Sequence, residues 1–383
     1  MAYGGRWPGG VVRPIVAVAV ASLTLVTACV WMSSTQRPLP TRGDDFLVAG
    51  YHTYWTEDAW ETYPFGVLDR LYFFEVEVGP DGAIADPHGW PQEWAPMVAR
   101  AIQAGVDVVP TVSMHGASRF EELFASPEHR ARLLDEVLQL LAATPGLGGI
   151  HLDFEAFEPV DPAARAGFTA FVAELRGRMR ALDRSWILSS FALALDDDDV
   201  YAEDKLAEVV DYLVVQGYDF HSAGGPEAGP IAPVTGWGRL TWEYTLERYL
   251  ALGVPRRKIV MAVPTYGYEW PTETDEPGSA TRGEAIELAL APPDAIVPER
   301  VRAIDRVAEH GLRRDSASAS PWYAWRDDEG WRQGWFDDAV SLRAKYEFVR
   351  EEGLGGVAVF PLAYADRSVW AGLERAFAAP RER

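Results

Sequence analysis

Eight short apolar runs alternate with longer amphipathic stretches from residue 46 onward. This alternation restricts the possible folds more than any other pattern in the sequence. The runs have the length of buried β-strands, whereas the stretches between them show helical periodicity. Alternating strands and helices indicate a parallel sheet, and eight such units indicate a closed barrel. We therefore predict an α/β fold, a (β/α)8 TIM barrel, with strands over residues 46–51, 71–78, 106–113, 149–154, 187–193, 212–218, 258–264 and 356–362.

Helices are predicted between these strands, over residues 94–104, 128–142, 163–181, 205–210, 240–252 and 341–352. One interval departs from the pattern, because the residues between the seventh and eighth strands contain no clear strand–helix unit. We interpret residues 266–336 as a small insertion after strand seven. The barrel with this insertion is predicted to span residues 46–378.

The charge balance excludes several classes of partner. Asp and Glu total 57 against 35 Lys and Arg, so the formal net charge is −22. A surface this acidic repels the phosphates of nucleic acids and anionic lipid headgroups. We therefore expect no nucleic acid partner, and no membrane contact through a basic patch.

The N-terminal segment has the pattern of a bacterial lipoprotein signal. Arg6 and Arg13 precede an apolar run over residues 15–28, which ends in small residues before Cys29, the single cysteine of the chain. In that interpretation residues 1–28 are a signal peptide, Cys29 carries a lipid anchor, and residues 29–45 form a tether. Two alternatives stay open, an uncleaved membrane anchor and an ordinary signal peptide with a coincidental cysteine. Each interpretation locates the domain outside the cytoplasmic membrane, either in the cell envelope or secreted.

The fourth strand-like run carries the most informative polar residues. It reads Gly-Gly-Ile-His-Leu-Asp-Phe-Glu over residues 148–155, so that His151, Asp153 and Glu155 share one face of the strand. If that face points into the barrel, Glu155 lies at the carboxyl end, where barrel enzymes hold their catalytic groups. Two carboxylates in a partly dry pocket acquire different pKa values, which gives one proton donor and one ionised partner. Exposure on an edge strand is one alternative, and a metal site is another, although three ligands so placed converge poorly.

A second motif, Gln-Gly-Tyr-Asp-Phe-His over residues 216–221, follows the sixth strand-like run. With the first motif it resembles glycoside hydrolase family 18, the chitinase-like (β/α)8 barrels. The family pattern on strand four ends in Asp-x-Asp-x-Glu, and the family pattern on strand six is Met-x-Tyr-Asp. Here Gly148 and His151 replace family Asp residues, and Gln216 replaces Met. Weaker matches extend the resemblance from about residue 50 to residue 370.

The resemblance implies roles for individual residues of this chain. Glu155 is the proton donor, Asp153 orients the acetamido group of the substrate, and Tyr218 hydrogen-bonds its attacking oxygen. Phe360 takes the position of the Trp that forms the floor of the sugar subsite. The remaining candidates for substrate binding are Asp219, His151, Gln216, Tyr51 and Tyr266.

His151 stands where the family has Asp, which suggests that its imidazole takes part in the proton chemistry of the site. A protonated His151 would favour the ionised form of Asp153 by Coulomb attraction, whereas the family Asp would disfavour it. Because an unperturbed imidazole titrates near pH ~6.5, we expect the pH profile of turnover to depend on His151 around that value. The alternative is that His151 only fills the barrel interior.

The predicted function is that of a retaining glycosidase acting on β-linked N-acetylglucosamine-containing glycans, either chitin oligosaccharides or peptidoglycan. The reaction would be substrate-assisted, since no second carboxylate is placed to attack carbon 1. We expect no cofactor and no metal, a monomer, and contact with a membrane only through the N-terminal lipid. The competing interpretation is a non-catalytic, lectin-like barrel, and retention of Glu155 argues against it.

Overall fold

The computed structural model describes residues 46–290 and 301–377. The predicted signal peptide (1–28), the tether (29–45) and the proposed lipid-bearing Cys29 lie outside the described residues. Within the described ranges, no helix has both the length and the apolar character needed to cross a membrane.

Strands are numbered in chain order and form two sheets. Their bounds are β1 Leu47–Thr53, β2 Arg70–Val78, β3 Ile84–Asp86, β4 Asp107–His115, β5 Gly149–Glu155, β6 Ile187–Ala192, β7 Tyr212–Val215, β8 Ile259–Pro264, β9 Tyr266–Thr272, β10 Ile286–Ala289, β11 Val301–Arg302, β12 Arg313–Arg314, β13 Pro321–Asp327, β14 Gly330–Trp335 and β15 Gly356–Phe360.

Helices of the described residues fall mostly between the strands of the first sheet. They are α1 Ala95–Ala104, α2 Ala117–Ala125, α3 Pro127–Ala143, α4 Pro162–Leu182, α5 Glu203–Val209, α6 Trp242–Ala251, α7 Ala303–His310, α8 Ala339–Glu351 and α9 Arg367–Phe377, with short 3-10 turns at Tyr54–Thr62, Phe65–Val67, Arg256–Lys258 and Leu362–Tyr364.

The first sheet closes into a parallel barrel. Its strands follow the order β1-β2-β4-β5-β6-β7-β8-β15, and β15 pairs with β1 to complete the ring, while β3 adds an antiparallel edge to β2. All eight strand-like runs of the sequence are barrel strands, so the predicted (β/α)8 barrel is confirmed. The six predicted helices correspond to α1, α3, α4, α5, α6 and α8, whereas α2, α7 and α9 were not predicted.

Two barrel strands begin with a glycine for the same steric reason. Gly149 starts β5 with φ +146°, and Gly356 starts β15 with φ +149°. A Cβ at residue 149 would collide with the backbone of Ile187 on β6, and one at residue 356 with the backbone of Leu47 on β1. The neighbouring strands can therefore approach closely only because these two positions lack a side chain.

Residues after β8 form the second sheet, with strand order β11-β10-β9-β14-β13-β12 and α7 packed against it. This sheet occupies the segment that the sequence analysis assigned to an insertion without regular units. Its interior is aromatic, and the indole rings of Trp322 and Trp335 stack with centroids 5.0 Å apart. Since β9 follows β8 after a single residue, the second sheet adjoins the carboxyl end of the barrel.

Candidate active site

A cavity of about 290 Å³ opens at the carboxyl ends of the barrel strands. The alternation of β5 explains how acidic groups reach it. Ile150, Leu152 and Phe154 pack in the apolar layer between barrel and helices, and each is at most 1% exposed. The intervening side chains therefore point into the barrel, where Asp153 and Glu155 line the cavity.

Asp153 lies deep in this cavity. The residue is only 5% exposed, and its Oδ1 atom receives no hydrogen bond from any residue within the described ranges. Burial, followed by the nearby Glu155 carboxylate, raises the pKa of Asp153 well above its usual value. Burial therefore favours the neutral form of the Asp153 carboxyl group, which still offers one oxygen to a ligand.

Glu155 lies at the end of β5 and is more accessible than Asp153, with a side chain that is 19% exposed. Two residues along one strand separate their Cα atoms by about 6.6 Å. The two acidic groups thus face one cavity, one buried and one open to an entering ligand.

His151 lies below Asp153 and does not line the cavity. Its Nε2 atom is 3.0 Å from the Tyr51 hydroxyl, its Nδ1 atom is 2.9 Å from Ser189 Oγ, and Nε2 is 3.8 Å from Asp153 Oδ2. Complete burial lowers the pKa of His151 to about 3. The expectation that His151 titrates near its ordinary pKa was therefore wrong, because desolvation of the buried ring outweighs its hydrogen bond with Ser189. Nor does the structure bring His151 to the cavity surface, where substrate contact was predicted.

Tyr218 is fixed after β7 has ended. Gln216 N donates to Ala192 O at 2.9 Å, and Gly217 O accepts a hydrogen bond from Trp242 Nε1 at 2.6 Å. These bonds hold the segment on both sides, and the Tyr218 ring then stacks on Phe360 with centroids 5.9 Å apart. The predicted strand extended to residue 218, but the backbone leaves the sheet at Val215 and directs Tyr218 towards the cavity.

Asp219 and Tyr266 form a hydrogen-bonded pair at the start of β9, where the second sheet meets the barrel. The Tyr266 hydroxyl donates to Asp219 Oδ1 at 2.8 Å, and burial raises the pKa of Asp219 to about 6. Among the predicted site residues, those that line the one cavity are Tyr51, Asp153, Glu155, Gln216, Tyr218, Asp219, Tyr266 and Phe360. Within the described residues, no group of three or more His, Cys, Asp or Glu side chains is arranged to hold a metal ion.

Sequence reasoning missed several cavity residues, and His115 is the most consequential. Its side chain lies between Glu75 and Glu155, with Nε2 3.2 Å from Glu75 Oε2 and Nδ1 3.4 Å from Glu155 Oε2. Glu75 follows four apolar residues of β2, and a charged residue at such a position is a signal that the sequence did offer. The other missed lining residues are Trp55, Phe74, Phe191, Val214, Ala262, Tyr268, Glu287, Pro361 and Tyr364.

This arrangement suits acid–base chemistry on a bond that enters the cavity. Glu155 is accessible and can exchange a proton with a bound oxygen, while Asp153 can accept a hydrogen bond beside it. The aromatic rings of Phe360, Tyr218 and Tyr266 supply flat apolar surfaces of the kind that stack on sugar rings.

Comparison with known proteins agrees with this geometry. Residues 50–365 match the family described as glycosyl hydrolases family 18. The chain is 30% identical over 307 residues to a protein of Bacillus subtilis (strain 168) provisionally named the sporulation-specific glycosylase YdhD, covering 76% of this chain and 65% of that protein. It is also 30% identical over 249 residues to the cortical fragment-lytic enzyme of the same organism, covering 63% of this chain and 52% of the relative. The chain thus spans about half to two thirds of the length of these curated relatives.

Solved structures share the fold. The spore cortex-lytic enzyme SleL of Bacillus cereus superimposes with a TM-score of 0.68 at 20% identity, covering 88% of this chain and 76% of that one. A class V chitinase from Nicotiana tobaccum gives a TM-score of 0.73 at 16% identity, covering 87% and 99%. The solved structures thus share the fold of this chain, and the family match over most of its length establishes that the chain belongs to glycosyl hydrolase family 18.

Proposed function

We propose that this glycoside hydrolase is a retaining enzyme that cleaves β-linked N-acetylglucosamine-containing glycans by substrate-assisted catalysis. In such a reaction the 2-acetamido oxygen of the substrate attacks carbon 1, so that the protein supplies an acid but no nucleophile. The reaction is the recognised exception to the scheme with two flanking carboxylates.

The state of Asp153 is the observation that carries this proposal. Its Oδ1 atom is buried without a hydrogen-bond donor among the described residues, and an unsatisfied buried oxygen costs about 1 to 3 kcal/mol. The N–H of an acetamido group placed in the cavity would satisfy it. Burial also disfavours the ionised form of Asp153, which is the form that could act as a nucleophile, and this argues against direct attack by Asp153 on carbon 1.

The proposed steps use three side chains of the cavity. Glu155 protonates the glycosidic oxygen while the acetamido oxygen attacks carbon 1 and the leaving group departs. Asp153 holds the acetamide N–H, and the Tyr218 hydroxyl donates to its carbonyl oxygen. Glu155, now a carboxylate, removes a proton from water as that water attacks carbon 1 of the oxazolinium ion, which regenerates the acetamide with retained configuration.

Chitin oligosaccharides and peptidoglycan both supply the acetamido group. The relatives named for sporulation and for cortical fragments favour bacterial cell-wall glycans, and the proposed location in the cell envelope agrees with them. A lectin-like role is not favoured, because the accessible acid Glu155 is retained in the cavity.

The first prediction tests the acid. Glu155→Gln keeps the size of the side chain but cannot donate a proton, so turnover should fall by about 10²- to 10⁴-fold. Release of chromophore from aryl N-acetyl-chitooligosides and release of sugar from cell-wall preparations are measured side by side. Glu174→Gln, an exposed change on α4, is the matched control and should behave as wild type. Near-normal turnover of Glu155→Gln would reject Glu155 as the acid.

A further inference from the structure

An acidic group that the proposed reaction does not use contacts the cavity residue His115. Glu75, on β2, is 8% exposed, and its Oε2 atom accepts hydrogen bonds from both Ser113 Oγ and the His115 imidazole. A buried carboxylate is costly unless a cation or several donors compensate it. Within the described residues, His115 is the cationic group found within 4 Å of this carboxylate.

His115 is held against Glu155 by the backbone as well as by its ring. Strands β4 and β5 pair in a register that brings residue 115 beside residue 155. The next amide, Gly116 N, donates to Glu155 O at 2.8 Å. The backbone thus fixes the imidazole next to the acid, and its separation from Glu155 does not depend on a flexible side chain alone.

The contacts at both ring nitrogens favour the charged form of the imidazole. A neutral imidazole carries one N–H and can donate to one acceptor, whereas an imidazolium donates from both nitrogens. At His115 each nitrogen faces a carboxylate oxygen, of Glu155 at 3.4 Å and of Glu75 at 3.2 Å. Hydrogen bonds to Glu155 and then to Glu75 raise the pKa of His115 to about 10, against the opposing effect of partial burial.

We propose that His115 is an imidazolium bridging Glu75 and Glu155, and that it acts as a positioning residue which orients Glu155 and favours its ionised form. Glu75 is the counter-ion that keeps the imidazole charged. This inference rests on the proposed role of Glu155 and adds to it a control on when the acid holds its proton.

Other charged groups near His115 are consistent with this role. Asp153 and Glu155 face the imidazole from β5, and Glu75 faces it from β2. On the neighbouring helix α2, the Arg119 guanidinium is bound to Glu77 at 3.0 Å, further along β2. The positive charge of His115 stabilises the ionised form of Glu155, and this is the form that activates water in the second step.

The charge of His115 can be read without any turnover. In the ¹⁵N-histidine spectrum of the wild-type protein, we expect the His115 ring to stay doubly protonated from pH 5 to pH 8. A free imidazole, with a pKa of ~6.5, would lose one of its two protons within this range. His115→Gln identifies the resonance, and Glu75→Gln identifies it by perturbation if that variant does not fold. A His115 ring that is neutral at pH 7 would overturn the proposal, whatever the enzyme hydrolyses.

The effect on Glu155 is read from the alkaline limb of kcat/KM against pH, which reports loss of the proton from the essential acid. His115→Gln removes the cation, so the limb should move to higher pH by about one unit. The control His129→Gln, on the outer helix α3, should leave the limb unchanged. An unmoved limb in His115→Gln, or a shift of the limb to lower pH, would contradict the proposal.

Discussion

At the scale of single residues, the depth of burial determines which ionisable side chains of β5 can carry a charge. His151 and Asp153 lie on the same face of β5, two positions apart. Desolvation disfavours charge on both, so it lowers the pKa of the imidazole to about 3 and raises that of the carboxyl group. His151 is therefore neutral at pH 7 and the neutral form of Asp153 is favoured, whereas Glu155 lies further out and is accessible to a bound substrate.

The second prediction concerns His151. Because its pKa is about 3, its imidazole should not titrate between pH 5.5 and 8. Replacement by Gln should lower turnover through lost hydrogen bonds to Tyr51 and Ser189, while the normalised pH profile superimposes on that of the wild type. Turnover measured against pH for both proteins tests this. Loss of an inflection near pH ~6.5 in the variant would show that the imidazole titrates after all.

Short sequence motifs predicted the main candidate site residues, but they did not predict which of those residues are charged. The period of two placed Asp153 and Glu155 inside the barrel, and a resemblance to a known family added Tyr218 and Phe360. The state of His151 could not be predicted, because the depth of burial depends on Tyr51 and Ser189, which come from other strands. The bridge through His115 was missed for the same reason, since Glu75 and Glu155 are eighty positions apart in the sequence.

At the scale of elements, the strands were predicted more accurately than the segments between them. A buried parallel strand is an apolar run and is visible in sequence. In contrast, α2 follows β4 after one residue and α9 follows a short turn, so neither had a separate signal. The second sheet was missed because β11 and β12 contain two residues each, and its strands pair across long loops.

The third prediction tests the close approach of β5 and β6. Gly149→Ala should prevent stable folding or lower the melting temperature strongly, because the added Cβ meets the backbone of Ile187. Gly177→Ala is the matched control, since Gly177 lies on the exposed face of α4 with nothing within 4 Å of an added Cβ. That change should stabilise the protein by about 0.5 to 1 kcal/mol, because alanine favours helix. Thermal unfolding followed by circular dichroism compares the two, and equal melting temperatures would contradict the packing argument.

At the scale of the whole molecule, the site is built by two sheets and not by the barrel alone. Tyr266 and Tyr268 of β9 line the cavity together with barrel residues such as Tyr218. Because β9 starts one residue after β8, any displacement of the second sheet would move Tyr266 and its partner Asp219. The second sheet is therefore part of the cavity wall.

The fourth prediction concerns location, which we propose to be the cell envelope through a lipid on Cys29. Cys29→Ala should leave hydrolysis intact and release the protein from the membrane fraction, because one acylated cysteine would be the whole anchor. Thr27→Ser, which keeps a small residue before the cysteine, should stay with the membranes. Fractionation of cells followed by activity measurement reads both. If Cys29→Ala still sediments with membranes, the apolar run at residues 15–28 is an uncleaved span.

The fifth prediction tests substrate-assisted catalysis most directly. The rate of hydrolysis is measured on aryl glycosides whose 2-acetamido group, in the sugar next to the bond that is cleaved, carries zero, one, two or three fluorine atoms. Fluorine withdraws electrons from the attacking oxygen, so kcat should fall with each substitution and by at least about tenfold over the series, which is about 1.4 kcal/mol in the barrier. The account also predicts that the first product released has the β configuration. A rate that is independent of fluorination would show that the acetamido oxygen does not attack carbon 1 in the step that limits kcat, and would contradict the account.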